Sequence, residues 1–188
     1  MKEKNLFTRF DNYILELVNS RMKTRFFDYF FQRFTKLAGV SFISVVLLLI
    51  FILPTERKIK SFAIEAGVAL IFTGMTVHTI KFLAKRVRPY DLLEGLNTFD
   101  IIMRDYSFPS GHTAAAFSLA IMVGDYYPGW FLFMMVFAVL IGISRMYLAV
   151  HFPTDVLVGA IVGMVITAFS KAVISPHILS IAIQTLNL

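Results

Sequence analysis

The chain has 188 residues, of which 57% are hydrophobic and 16% are charged, and it contains no cysteine. Soluble domains are about half apolar and about a quarter charged, so this composition, with a mean hydropathy of +0.73, indicates one integral membrane domain without disulfides or thiolate sites. The net charge of +6 does not indicate nucleic-acid binding, because no polar basic domain is present and cations that flank membrane spans contact anionic headgroups.

Residues 1–36 are predicted to form amphipathic helices that lie along the membrane surface. Apolar side chains recur at helical spacing in two stripes, the first at Leu6, Phe7, Phe10, Ile14, Leu17 and Val18 and the second at Phe27, Phe30, Phe31 and Phe34. Arg9, Asp11 and Glu16 lie off the first stripe, as expected for a helix with one apolar face. The same pattern is equally typical of helices that brace a bundle, and the sequence leaves both interpretations open.

Residues 37–175 are predicted to form a transmembrane core of about five helices, which makes the fold all-α. The predicted spans are Leu37–Leu53, Phe62–Phe82, Ser110 to near the DYYPGW segment, Trp130–Tyr147 and Pro153–Val173. Pro54 ends the first span, and the third span is shorter than the roughly 20 residues that a bilayer core needs. We therefore expect the third helix in the centre of the bundle, with its start below the membrane surface.

The number of spans brings three polar stretches to one membrane face. With five spans, the ends of the second and fourth and the starts of the third and fifth lie on the same side. The loop of residues 83–109, the stretch SFPSGH (107–112) and the stretch SRMYLAVHFPTD (144–155) therefore meet there. Each contains charged or histidine side chains, which are uncommon and often functional beside lipid.

The segment KFLAKRVRP, at the end of the second span, contains two cations with a spacing that points to a site. Lys81 and Arg88 are seven residues apart, which is about two helical turns, so they share one face. Pro89 disfavours helix at the residue before it. Taken alone, Lys81 is also typical of an interfacial lysine whose ammonium group reaches the headgroups.

The tetrapeptide PSGH begins the third span with features of an anion site. Ser110 is a good N-cap, and Gly111 lets the backbone come close to a bound group. The free N–H groups of a helix start attract anions, and His112 would then point into that site. For the tetrapeptide alone, a capping serine beside an interfacial histidine is the simpler interpretation.

The stretch SRMYLAVHFPTD combines a cation with a histidine and a carboxylate. Arg145 follows an apolar span, and Pro153 suits the first turn of the fifth helix. Asp155 in that turn could accept a hydrogen bond from one nitrogen of His151, which would leave the other nitrogen free as a nucleophile. A helix-start aspartate beside a surface histidine is the alternative.

Taken together, the three stretches are better explained by a bound anion than by separate structural roles. Three cations, two histidines, one aspartate and a helix N-terminus meet at one face of an otherwise apolar bundle. Burying like charges together is costly unless an anion binds among them. Phosphate fits this need, because arginine, lysine and backbone N–H groups are its usual ligands.

These residues resemble the motifs of a known family. Lys81–x6–Arg88–Pro89, Pro109–Ser110–Gly111–His112 and Ser144–Arg145–x5–His151–x3–Asp155 are similar to the three-part motif of the type 2 phosphatidic acid phosphatases. That superfamily also contains soluble bacterial acid phosphatases and vanadium haloperoxidases. The resemblance extends over residues 81–155 without a missing position, and the chain's length and helices look most like compact bacterial members.

The resemblance implies a role for each matched residue. His151 would attack phosphorus and form a phosphohistidine, Asp155 would orient His151, and His112 would protonate the leaving oxygen. The phosphoryl oxygens would be held by Lys81, Arg88, Ser110, the Gly111 amide and Arg145. Neither a metal nor another cofactor is implied, which agrees with the general need of phosphoryl transfer for positioning and charge stabilisation.

The resemblance also implies a lipid phosphate as substrate, because members act on phosphatidic acid, phosphatidylglycerophosphate, undecaprenyl pyrophosphate and lipid A phosphates. The expected activity is hydrolysis of a phosphomonoester or pyrophosphate within the cell membrane, with membrane lipids as the other partners and no nucleic acid. The sequence does not fix the oligomeric state. A transporter or channel with a charged vestibule, and a vanadate-dependent peroxidase, are the alternatives, although the polar residues gather at one end of the spans.

Charge distribution predicts that the site faces the extracytoplasmic side. Arg57, Lys58 and Lys60 in a short loop and Lys171 at the end of the fifth span lie on the opposite face, and cytoplasmic loops are typically rich in lysine and arginine. The eight lysines and arginines of residues 1–36 argue the reverse. We give them less weight, because headgroups can anchor a surface helix without orienting the protein.

Three further polar residues are interpreted as structural. His78 lies one turn before Lys81 and is expected to be a core histidine. Glu65 lies near the other end of the second span, and His177 lies in a polar tail after Pro176.

Overall fold

The computed structural model describes residues 6–53, 56–99, 101 and 103–186, and across these residues the fold is an all-helical bundle. The α-helices are α1 Leu6–Glu16, α2 Arg25–Phe34, α3 Val40–Ile52, α4 Arg57–Ala84, α5 Pro89–Leu92, α6 Gly111–Tyr126, α7 Phe131–Tyr147, α8 Pro153–Phe169 and α9 Ser175–Leu186. Pro54, the predicted end of the first span, lies outside the described residues. The predicted fold class is confirmed.

The helices are those of a multi-pass membrane protein. Within the described residues, three stretches are long and apolar enough to cross a membrane: Arg57–Leu92, Pro128–Tyr147 and Pro153–Ala182. A fourth candidate is the pair Arg25–Ala38 and Val40–Ile52, which is bent by 53°. The helix α6 has 16 residues and is shorter than a usual span, so the count of five spans stays a prediction.

The short helix α6 is the centre of the bundle, as its length and composition indicate. It packs against α4, α7 and α8, and a run of its residues from Thr113 to Ser118 is buried. Because small alanines fill half of this run, the surrounding helices can approach closely. Helix α3 packs against α4 on the outside of this group.

Two glycines bring α8 against α6 and so fix the start of α6. A Cβ atom on Gly159 would lie 2.6 Å from the carbonyl oxygen of Ser110, and one on Gly163 would lie 2.3 Å from that of Ala114. The Ser110 amide also donates a hydrogen bond to the carbonyl oxygen of Asp155 at 3.0 Å. The first turns of α6 and α8 are therefore held together by backbone contact.

The two N-terminal helices contact the bundle through different faces. In α1 the first part of the predicted apolar stripe, Leu6 and Phe7, points outward. The last part, Ile14 and Val18, packs against the core, and Asp11 and Leu15 are buried. An apolar outer face suits contact with lipid. In α2 the predicted stripe packs inward, since Phe31 is buried against Tyr147. Placement along the membrane surface stays a prediction, whereas bracing of the bundle is evident from these contacts.

The C-terminal end of the chain differs from the sequence prediction. After α8 a π-helical segment, Ser170–Ile174, leads directly into α9. His177, which was expected in a polar tail, therefore lies in the first turn of a helix. Pro176 is compatible with this arrangement because proline is tolerated where a helix begins.

Candidate active site

The three polar stretches predicted to meet do so around one cavity of about 290 Å³. It lies where α4 ends, α6 begins and the loop between α7 and α8 turns back. The predicted site residues that line it are Lys81, Arg88, Gly111, His112 and His151. The two histidines border the same space, as the motif spacing predicts.

Lys81 and Arg88 both bind the carboxylate of Asp105, which also lines the cavity. The Lys81 Nζ atom lies 2.9 Å from Asp105 Oδ2, and the Arg88 Nη2 atom lies 2.5 Å from Asp105 Oδ1. The two cations are buried, whereas the Asp105 side chain is 54% exposed. The carboxylate therefore occupies the two cations that the sequence assigns to phosphate and offsets one of their two charges.

Asp105 is a site residue that the sequence analysis did not single out. Its only sequence signal is an acidic side chain two residues before SFPSGH. Burial raises the pKa of this carboxyl group, but the hydrogen bond and charge of Lys81 and the charge of Arg88 outweigh burial and lower the pKa to about 2. Asp105 is therefore ionised at neutral pH and acts as an internal anion.

Arg88 also lies next to His151. Its Nη1 atom donates to the carbonyl oxygen of Val150 at 2.6 Å and lies 3.4 Å from His151 Nε2. Burial, together with the positive charges of Arg145 and Arg88, lowers the pKa of His151 to about 3, although Asp155 acts in the opposite direction. The imidazole is therefore neutral near pH 7, the state in which one ring nitrogen has a free lone pair.

Asp155 lies behind His151, on the side away from the cavity. Its Oδ2 atom accepts hydrogen bonds from the Phe152 amide at 2.7 Å and from the Ser107 hydroxyl group. The distance from Oδ2 to His151 Nδ1 is 3.6 Å, which is longer than an ordinary hydrogen bond, and Nδ1 has no other partner among the described residues. Asp155 and His151 are thus adjacent, as expected from the sequence, but the hydrogen bond between them is not formed.

Ser110 and Arg145 do not line the cavity. The Ser110 hydroxyl group caps α6, accepting from the Thr113 hydroxyl group at 2.8 Å. Arg145 is buried, donates to the Thr35 hydroxyl group at 2.7 Å and lies 3.4 Å from the sulfur of Met103, which does line the cavity. Its Nε atom has no hydrogen-bond partner among the described residues, so Arg145 has an unused donor next to the site.

The cavity continues into an apolar groove between α3 and α4. The groove has a volume of about 530 Å³ and shares Val40, Leu70 and Gly74 with the cavity. His78 lines the cavity and is exposed, so its interpretation as a core histidine is wrong. One face of α4 therefore borders first the cavity, at Lys81 and His78, and then the apolar groove.

Comparison with known proteins shows similarity to one protein family over the region that contains the site. The family model described as "PAP2 superfamily" matches residues 62–178, which include every residue of the three motifs. The crystal structure of LpxE from Aquifex aeolicus has a TM-score of 0.76 and 28% sequence identity, covering 92% of this chain and 99% of that chain.

Two curated relatives are similar over the same region. A protein named undecaprenyl-diphosphatase from Sulfolobus acidocaldarius is 29% identical over 123 residues, which are 65% of this chain and 58% of that protein. A protein named bacitracin transport permease protein BcrC from Bacillus licheniformis is 30% identical over 124 residues, 65% of this chain and 60% of that protein. The match thus spans about three fifths of the length of these relatives.

Replacement of Asp105 should strengthen anion binding. In Asp105→Asn the carboxylate no longer competes for Lys81 and Arg88, so we expect inorganic phosphate to bind roughly 10-fold more tightly, as is typical when a neighbouring like charge is removed. Isothermal titration calorimetry of the purified protein measures this affinity. Glu94→Gln, an exposed substitution in the same loop, is the matched control, and weaker phosphate binding in Asp105→Asn would contradict the competition.

Proposed function

The chain belongs to the PAP2 superfamily, and from this premise we propose that it is a membrane enzyme that hydrolyses a lipid phosphate through a phosphohistidine. The observation that supports the proposal most is the joining of the polar cavity to the groove. The motif histidines His112 and His151 line the cavity with Lys81 and Arg88, and an apolar channel large enough for hydrocarbon runs from it between α3 and α4. A phosphate attached to a lipid matches both parts.

We assign the role of nucleophile to the Nε2 atom of His151. Asp155 lies near Nδ1, and Nε2 lies beside Arg88 at the cavity. In the first step Nε2 forms a bond with phosphorus while the bond from phosphorus to the leaving oxygen breaks. The leaving oxygen takes a proton from His112, which must be protonated at that moment. Asp155 offsets the positive charge that develops on the His151 ring.

The second step releases phosphate and restores the enzyme. A water molecule attacks phosphorus and gives its proton to His112 as the bond from phosphorus to His151 breaks. Lys81, Arg88 and the Gly111 amide are placed to stabilise the phosphoryl oxygens, and Asp105 moves away from the two cations when phosphate arrives. We assign Ser110 to capping α6 and Arg145 to the same oxygens through its unpaired Nε atom. This charge stabilisation is the main requirement of phosphoryl transfer.

Among lipid phosphates we favour undecaprenyl pyrophosphate. A relative with the matching segment is named undecaprenyl-diphosphatase, and the cavity extends along α4 beyond Lys81 to His78 before the groove begins. This length leaves room for a second phosphate between the reacting phosphate and the hydrocarbon chain. Phosphatidylglycerophosphate and phosphatidic acid are the other candidates.

A phosphate-release assay tests the proposed function. Purified protein without added metal should release phosphate from undecaprenyl pyrophosphate faster than from phosphatidylglycerophosphate or phosphatidic acid. His151→Ala should abolish turnover, because no nucleophile remains, while the protein still folds. Protein that releases no phosphate from any of these lipids but moves a solute across liposomes would support the transporter alternative. Oxidation of halide after addition of vanadate would support the peroxidase alternative.

Loss of the general acid should slow turnover without abolishing it. In His112→Ala the leaving oxygen departs unprotonated, so we expect the turnover number to fall roughly 10²–10⁴-fold. The phosphohistidine should form slowly from the lipid and be retained, since water also loses its base. Release of radiolabelled phosphate from the lipid measures the turnover number. Radiolabel that stays on the protein after a rapid quench and is lost in acid measures the phosphohistidine. Full turnover in this variant would show that His112 is not the acid.

We further propose that the site faces the extracytoplasmic side. Lys171 pairs with Asp125, and Lys58 lies 4.8 Å from the ring centroid of Tyr127, at the end of the bundle away from the cavity. A cluster of cations at that end favours a cytoplasmic location for it. Of the described N-terminal cations, Lys23 lies at the other end, where it donates to Asn97 in the loop near the site. We give such cations less weight, because headgroups can anchor a surface helix without orienting the protein.

Cysteine labelling in intact cells tests this orientation. The chain has no cysteine of its own, so Glu94→Cys on the loop near the site and Glu56→Cys at the other end form a matched pair of exposed substitutions. We expect a membrane-impermeant maleimide to label Glu94→Cys before lysis and Glu56→Cys only after it. The reverse pattern would place the site in the cytoplasm.

A further inference from the structure

A buried chain of charges connects the N-terminal helix to the residue behind the nucleophile. Arg86, in the loop after α4, places its Nη1 atom 2.6 Å from Asp155 Oδ1 and its Nη2 atom 2.5 Å from Asp11 Oδ2. Asp11 belongs to α1, and its side chain is 3% exposed. The sequence analysis assigned no role at the site to Asp11 or to Arg86, although Arg86 lies within the KFLAKRVRP segment.

Thr154 contacts both Asp11 and Arg86 and so fixes their relative positions. Its amide donates to Asp11 Oδ1 at 2.9 Å, and its hydroxyl group donates to Asp11 Oδ2 at 2.7 Å. The same hydroxyl oxygen accepts from Arg86 Nη1 at 2.7 Å. Both oxygens of Asp11 are therefore used, and because Thr154 directly precedes Asp155, the contacts fix the backbone that carries the carboxylate behind His151.

The backbone of Arg86 is also part of the site. Its carbonyl oxygen accepts from the Ser107 amide at 2.8 Å, and the Ser107 hydroxyl group donates to Asp155. The guanidinium group lies over the ring of Phe152, 4.2 Å from its centroid. Arg86 thus connects the loop after α4, the SFPSGH stretch and the first turn of α8.

The charges explain why Asp11 is needed. If Arg86 faced Asp155 alone, the two would form a neutral pair and the carboxylate would be less able to stabilise a positive imidazole. With Asp11 present, two carboxylates share one guanidinium group, and a net negative charge remains beside His151. That charge matches the positive imidazole ring that forms when His151 binds a phosphoryl group.

Other contacts of the N-terminal segment support the same connection. Asn19 donates to the carbonyl oxygen of Tyr147 at 2.7 Å, and the Tyr147 hydroxyl group donates to Asp28 at 2.6 Å. Tyr147 ends α7, directly before the loop that contains His151. The N-terminal helices therefore hold that loop at both of its ends.

We propose that Asp11 and Arg86 are positioning residues of the active site, and that through them helix α1 holds Asp155 in register with the His151 nucleophile. This inference rests on the proposed phosphatase function. Neither residue contacts the substrate, so their effect is on the rate of phosphoryl transfer rather than on binding.

The test compares Asp11→Asn with Glu16→Gln on the same helix. In Asp11→Asn the amide NH2 group must face a donor, either Arg86 or the Thr154 amide, so one contact of this network is lost whichever way the amide is turned. We expect the turnover number on the lipid phosphate to fall roughly 10- to 100-fold, as small misplacements near a reacting atom do. The Michaelis constant, the inhibition constant of inorganic phosphate and the melting temperature in detergent should stay close to those of the wild type. Glu16 pairs with Arg21 on the surface, and its substitution should change none of these quantities.

Variants of Arg86 provide a second measurement. Arg86→Lys keeps a positive charge but cannot bind two carboxylates in a fixed fork, whereas Arg86→Gln loses the charge. We expect Arg86→Lys to retain more of the turnover number than Arg86→Gln, with unchanged phosphate inhibition in both.

Two results would overturn the inference while the proposed function stands. One is a wild-type turnover number in Asp11→Asn. The other is a joint loss of turnover, phosphate inhibition and thermal stability in both Asp11→Asn and Arg86→Lys, which indicates a purely structural role. Failure of the wild type and Glu16→Gln to release phosphate from any lipid would instead overturn the proposed function, and this inference with it.

Discussion

The structure depends on the neutralisation of cations that are buried at one end of an apolar bundle. Lys81, Arg86, Arg88 and Arg145 lie there among lipid-facing helices, where an unpaired charge is costly. The chain supplies carboxylate partners for the first three of them. Asp105 binds Lys81 and Arg88, and Asp11 and Asp155 share Arg86. Because these carboxylates come from α1, the loop before α6 and α8, neutralisation also fixes the relative positions of the segments that form the site.

The helix packing holds this charged end together. Helix α6 is short and almost fully buried, and the glycines of α8 let its first turn touch the backbone of α6. The hydrogen bond from the Ser110 amide to the Asp155 carbonyl oxygen then joins two of the three motifs directly. Precise placement of reacting groups follows from these rigid contacts, while the space between α3 and α4 stays open as an apolar groove.

Sequence reasoning predicted the helical bundle, the central position of the third span and the convergence of the three motifs. Those features follow from local patterns such as apolar runs, a serine cap and fixed spacings. It did not find Asp105, Asp11 or Arg86, because their roles depend on contacts between segments up to about 140 residues apart, such as that of Thr154 with Asp11. The assignment of His78 to the core failed for a related reason, since helical spacing alone does not show which face of α4 borders a cavity.

Asp105 has a consequence for how the cavity is emptied and filled. Since a carboxylate already occupies the two cations, arrival of a phosphate is an exchange of one anion for another, and its net affinity is the difference between two interactions. The tethered carboxylate is at a high effective concentration beside the cations. In the proposed reaction, a freed phosphate ion therefore meets a competitor that never diffuses away, and the return of the Asp105 carboxylate to the cations clears the site for the next lipid.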